Sequence, residues 1–183
     1  MKKVMFIIVG MLVSVSVNAA TYTGTFNGDD DVVYVSLNVT ESALYHFESF
    51  GYAGGTMSDG TVVSDGGFDS VFHLFSPFAT EIAYMDDGRG VASASSGSSF
   101  DFMTDIWLAA GNYYIAITQF SNFWDGSNWE GSQTTGFEDI GGNIRSDAYA
   151  FEYTVSAVPV PAALFLFAPA LLGFLGLRRK AAA

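Results

Sequence analysis

Residues 33–39 put Val33, Val35, Leu37 and Val39 at every second position, with Tyr34, Ser36 and Asn38 between them. Residues 147–156 repeat the pattern, with Tyr149, Phe151, Tyr153 and Val155 alternating against Ala150, Glu152 and Thr154. Successive side chains of an extended chain point to opposite faces, so period two marks a strand with one buried side. The first set of each run is expected to face a core, and Ala150, Glu152 and Thr154 to face out. No stretch between the two runs carries a helical period.

Other strands are expected at residues 21–26, 42–50, 68–75, 81–85, 100–108 and 113–120, the last with Tyr113, Ile115 and Ile117 on one face. The breaks between them are rich in Gly, Asn, Asp and Ser, the residues that turns select for conformational reasons. Residues 68–75 and 81–85, about five residues apart, suggest a hairpin. Residues 51–67, 89–99 and 122–143 read as loops, and loops as long as the first and last of these are commonly functional in a compact domain. The expected fold is all-β: an antiparallel β-sandwich or jelly roll of about eight strands. A signal-peptide helix is expected before it and a hydrophobic helix after it.

The two ends differ from the middle. Residues 1–20 run from Lys2 and Lys3 through an apolar stretch to Asn18-Ala19-Ala20, the order of a secretory signal peptide, with cleavage expected after Ala19 or Ala20. At the far end, Val158-Pro159-Val160-Pro161 precedes an apolar run and then Arg178-Arg179-Lys180. From Ala162 to Leu177 a helix would measure roughly 24 Å at 1.5 Å per residue. That is short of the ~30 Å hydrocarbon core, and Pro169 interrupts it. The basic end should stay on the cytoplasmic side of a membrane. This divides the chain into a signal peptide (1–20), one domain (21–157) and a tail (158–183).

All 19 acidic residues lie between Asp29 and Glu152, and only Arg89 and Arg145 of the seven basic ones fall inside the domain. Two cations against nineteen anions leave it at a formal charge of −17. Such a surface repels nucleic acid and anionic lipid and is compatible with cations. With no cysteine in the chain, an exported domain has no disulfide framework to lean on. Packing, or a bound ion, must stabilise it.

Calcium takes six to eight oxygens from carboxylates, carbonyls and water, and acidic turns supply them. The candidate ligands are Asp69, Asp86 and Asp87, with Asp29-Asp30-Asp31 as a further acidic turn. None of them forms the twelve-residue Asp-x-Asp-x-Asp-Gly loop, and Asp-Gly pairs also serve turns for conformational reasons alone. Trp124 and Trp129, with Phe123 and Tyr52, sit on glycine-rich loops where they would either stack on sugar rings or anchor the loops. Nucleophilic catalysis has little to build on: no cysteine, no Gly-x-Ser-x-Gly, and only His46 and His73 as bases, both mid-strand. A zinc site has no ligand spacing to support it.

Two resemblances add expectations. The tail, Val158-Pro159-Val160-Pro161-Ala162-Ala163 with its apolar run and Arg178-Arg179, resembles PEP-CTERM sorting tails in their Val-Pro-x-Pro-Ala-Ala form; Val160 stands where the name-giving form has Glu. The domain is similar to the pre-peptidase C-terminal type of β-sandwich on secreted bacterial proteins. That likeness rests on Phe68-Asp69 with Leu74-Phe75, on Asp86-Asp87-Gly88, and on Leu108-Ala109-Ala110-Gly111-Asn112-Tyr113 through Ile117. The resemblance implies an exported, non-enzymatic surface or matrix protein. Its partners would be signal peptidase and an exosortase-type sorting enzyme acting near Val158–Pro161, with transient residence in the inner membrane and association with exopolysaccharide or biofilm. A carbohydrate-binding module using the 122–143 loop is the alternative, and a secreted hydrolase ranks last.

Overall fold

The computed structural model describes residues 18–156. The expected signal segment up to residue 17 and the tail from residue 157, with Pro159, Pro161, Arg178 and Arg179, lie outside them. The described residues form strands, turns and loops, and no helix among them is long and apolar enough to cross a membrane.

Ten strands occur among the described residues: β1 (Asn18–Thr25), β2 (Val33–Val39), β3 (Ala43–Ser49), β4 (Gly55–Thr56), β5 (Val62–Val63), β6 (Ser70–Phe75), β7 (Glu81–Met85), β8 (Met103–Leu108), β9 (Gly111–Gln119) and β10 (Ala148–Ser156). Eight of them build two four-stranded sheets, one in the order β1-β10-β3-β8 and the other β2-β9-β6-β7. Every pairing in both sheets is antiparallel. β4 and β5 form a small separate hairpin inside the 51–67 loop. β1 begins at Asn18, three residues before the expected domain start. Its first pairs, Asn18 with Val155 and Ala19 with Thr154, fall in the segment expected to be cleaved.

One core lies between the sheets. Tyr45, Phe47, Leu108 and Phe151 come from the first sheet, and Leu37, Val39, Phe72, Leu74, Ile115 and Ile117 from the second. Phe47 and Phe72 meet across the sheets with ring centroids 4.7 Å apart. Aromatic pairs of this kind contribute about 0.5–1.5 kcal/mol beyond burial, and Phe26–Phe68 and Phe72–Phe102 add others. The period-two positions of β2 and β10 therefore face the core as expected.

The outer faces are where the structure departs from simple alternation. Ala150 and Glu152, expected to face solvent, are buried. The β4–β5 hairpin folds over that face: Met57 and Phe50 pack on Ala150, while Glu152 accepts hydrogen bonds from the Ser58 amide and hydroxyl at 2.8 Å each. Gly67 makes this covering possible, since a Cβ there would lie 2.4 Å from the Ala148 carbonyl oxygen and 2.6 Å from that of Gly51. On the second sheet β6 is buried on both faces, because the loop after β9 lies over its outer side.

Candidate functional site

Asp69 immediately precedes β6 and Asp86-Asp87 immediately follow β7, so the β6–β7 hairpin brings all three to its open end. Gly88, with φ at 135°, turns the chain there; the position is closed to side chains, since a Cβ would lie 2.8 Å from the Met103 carbonyl oxygen. One carboxylate oxygen from each of Asp69, Asp86 and Asp87 lies within 4.8 Å of the others. Oxygens on opposite sides of a calcium ion, each 2.3–2.6 Å from it, are separated by about that much.

The electrostatics of the cluster are unusual. Asp69 is buried, and its Oδ1 and the Oδ1 of Asp86 accept no hydrogen bond from any described residue. Burial, reinforced by the charges of Asp86 and Asp87, pushes the Asp69 carboxyl up to about 9. Burial and then Asp87 push Asp86 up to about 6, and burial and Asp101 raise Asp87. An unpartnered buried acceptor costs roughly 1–3 kcal/mol, more when charged.

Asp101 shows the opposite solution. It is fully buried, yet it accepts from Ser49 Oγ, from the amides of Tyr52 and Ala53, and from Arg89. Arg89 also bonds Glu48 and the Gly54 carbonyl and lies 4.2 Å over the Phe50 ring. The other domain cation, Arg145, is spent in the same way. It reaches the Gly67 and Tyr52 carbonyls, Ser95 and Asp65, 4.0 Å above the Tyr52 ring. Burial opposes ionisation of Asp65, but bonds from Ser95, Ser93 and Arg145 outweigh it and hold the carboxyl well below its ordinary value. Both arginines thus clamp loops, and neither is presented to solvent as a free positive charge.

Asp29, Asp30 and Asp31 do not join the carboxylate cluster. Asp31 caps its own turn by accepting from the amides of Asn27 and Gly28. Asp29 and Asp30 instead accept from the amides of Gly136 and Ser132 and so tie down the 122–143 loop.

That loop covers the outer face of the second sheet. Strand register places Tyr34, Ala116, His73 and Tyr84 in one row across β2, β9, β6 and β7. The Trp129 indole spans this row, donating to the Tyr34 hydroxyl at one end and meeting the His73 ring edge-on at 4.9 Å at the other. The small side chain of Ala116 between them leaves it room. Trp129 is therefore a loop anchor. Trp124, at 5.3 Å from Trp129, forms the wall between two clefts. One, of about 280 Å³, is lined by His73, Glu81, Tyr84, Phe123, Trp124 and Glu130. The other, of about 350 Å³, is lined by Tyr34, Phe75, Pro77, Ala79, Tyr114 and Trp124.

Sequence reasoning did not single out Glu81, Tyr84, Tyr114 or Glu130. The first two were within reach, since the expected 68–75/81–85 hairpin makes His73 a neighbour of both. Glu81 lies 2.6 Å from His73 Nδ1, and burial lowers the His73 pKa despite that carboxylate. Thr118 Oγ1 stands 3.4 Å from His73 Nε2, which gives the outline of a hydroxyl–imidazole–carboxylate triad. Thr118 is fully buried, however, and donates its hydroxyl to the Asn122 carbonyl at 2.8 Å. His46, on the other sheet, is half-exposed beside Asp105 and Glu48. No protein-family model and no curated protein matches the chain.

Proposed function

We propose that the chain is an exported, non-enzymatic surface or matrix protein whose β-sandwich is held together by a calcium ion at Asp69, Asp86 and Asp87. The observation that carries the ion site is the buried Asp69 carboxylate, whose Oδ1 accepts no hydrogen bond from any described residue and which faces two further carboxylates. A divalent cation supplies the positive charge that neither arginine brings there, and a chain without cysteines gains from it the cross-link it otherwise lacks. The three residues would hold the ion with backbone carbonyls or water completing its shell.

The strand order β1-β10-β3-β8 and β2-β9-β6-β7 fits a jelly roll, an architecture used widely for binding and assembly. The non-enzymatic reading is favoured by Thr118, which no substrate reaches. Export and sorting rest on the sequence: the signal-like start, the Val158–Pro161 motif, and the Arg178-Arg179 end that resembles exosortase substrates. Exopolysaccharide or biofilm is the setting this implies. The second reading, carbohydrate binding through the 122–143 loop, is favoured by Trp124, which forms a wall of both clefts.

Calorimetric titration of the protein with calcium tests the ion site. Heat of binding is expected, together with a melting point that drops in EDTA; no heat and an indifferent melting point would sink the proposal. Mass spectrometry of the protein from its native host tests the sorting scheme, which fails if residues 164–180 are retained.

A further inference from the structure

The two clefts beside Trp124 differ in chemistry. The larger is apolar, walled by Phe75, Pro77 and the rings of Tyr34 and Tyr114. The smaller sets Tyr84 and Phe123, their rings 6.1 Å apart and inclined at 70°, against the carboxylates of Glu81 and Glu130. Tyr34 and Tyr84, one at each cleft, are 59% and 61% exposed, and apolar surface gathered around a groove, unlike single exposed hydrophobes, marks a binding site. Pairs of exposed rings flanking a ridge suit the flat C–H faces of pyranose sugars.

The charges narrow the choice of sugar. The negative faces of aromatic rings attract a cation, and two carboxylates at the same cleft add to that attraction. An anionic sugar would meet only repulsion, since the two arginines of the described residues are both engaged in internal clamps. A neutral sugar would gain the stacking, and hydroxyl hydrogen bonds to Glu81 or Glu130, but no charge pairing. A sugar bearing a protonated amine gains both.

The geometry points to an oligomer of amino sugars with free amines as the ligand of these clefts, one sugar on each side of Trp124 and the ammonium group of the one in the smaller cleft at Glu81 and Glu130. This rests on the carbohydrate reading of the loop and specifies its substrate class; it does not depend on the calcium site. His73 holds Glu81 from below, so Glu81 is a fixed acceptor, while Glu130 stands exposed on the loop.

The test is titration of the full-length protein in detergent, at constant calcium, with a short β-linked glucosamine oligomer. The N-acetylated oligomer of the same length, an oligouronate and a linear polyamine serve as controls. The glucosamine oligomer should bind about tenfold or more tightly than its acetylated form, a difference worth ~1.4 kcal/mol, and the oligouronate not at all. Glu130→Gln, at an exposed position, should weaken the glucosamine oligomer about threefold and leave the acetylated one unchanged, as removal of a rim charge does. Trp124→Ala should abolish both. Equal affinity for the two oligomers would overturn the amine requirement and leave the carbohydrate reading standing. Binding of neither would overturn both, and a polyamine that binds as well as the sugar would reduce the site to bulk charge attraction and overturn the proposal.

Discussion

The indole N–H of Trp129 donates to the Tyr34 hydroxyl at 2.8 Å, joining residues 95 positions apart in the chain. That bond fastens the tip of the longest loop to the edge strand β2, and the edge-on contact with His73 fastens it to β6. Trp129→Phe keeps most of the packing and loses the donor. It should cost about 1 kcal/mol, the net worth of one such bond, measured by urea denaturation. Ala116→Leu, which fills the space under the indole, should expose the 122–143 loop to limited proteolysis.

The carboxylate cluster makes the calcium-free protein sensitive to pH in an unusual direction. Asp69 and Asp86 have folded-state values raised from 3.8 to about 9 and about 6. The native state therefore keeps protons that the unfolded chain releases, and stability falls as pH rises between those values. In EDTA the melting point should drop from about pH 4 upward, through 6 for Asp86 and on toward 9 for Asp69. If calcium binds the ionised carboxylates as proposed, a saturating concentration should flatten that decline. A melting point in EDTA that rises over this range would contradict the burial of Asp69.

One substitution at two positions should have opposite signs. At neutral pH the calcium-free native state must hold Asp69 protonated whereas the unfolded chain ionises it, so Asp69→Asn, neutral in both states, should stabilise that form by roughly 1–3 kcal/mol and, on the proposed ion site, remove any stabilisation by calcium. Asp101→Asn takes the charge from a carboxylate that satisfies two amides, a hydroxyl and Arg89. It should destabilise by about 3–5 kcal/mol, the range for breaking a buried ion pair. Thermal melts of the two variants in EDTA check both.

Arg145→Ala should cost a similar ~3–5 kcal/mol. It strips donors from the Gly67 and Tyr52 carbonyls and leaves Asp65 without its cation. Hydrogen exchange should then accelerate first in residues 51–67 and 89–99, the two loops it joins, and in the sandwich strands only through the lowered free energy of global unfolding.

The strands were legible because their inner faces obey period two: Leu37 and Val39 on β2, Phe151 on β10, Ile115 and Ile117 on β9 all went where alternation sends them. Alternation fails where a second layer covers an outer face. Ala150 and Glu152 are buried by a hairpin of two-residue strands too short to leave a periodic signal, and His73 by a loop whose path depends on Asp29 and Asp30 more than 90 residues upstream. The carboxylate cluster was half legible. Asp69 and Asp86-Asp87 bracket a recognisable hairpin, so their convergence follows from its register. Nothing in the run Asp29-Asp30-Asp31 distinguishes a ligand from a clasp, and the structure uses it as a clasp. Trp124 and Trp129 look alike in sequence; only their contacts separate the wall of a cleft from an anchor.

β10 is hydrogen-bonded on both sides, to β1 and to β3, and the chain continues beyond its last residue, Ser156. A pull applied there along the strand would load two ladders in shear, with many bonds sharing the force at once. An edge strand in that place would carry it on one ladder alone. If the sandwich is held by its C-terminal end while a ligand drags on the far sheet, the fold has placed the point of traction on one of its best-braced strands.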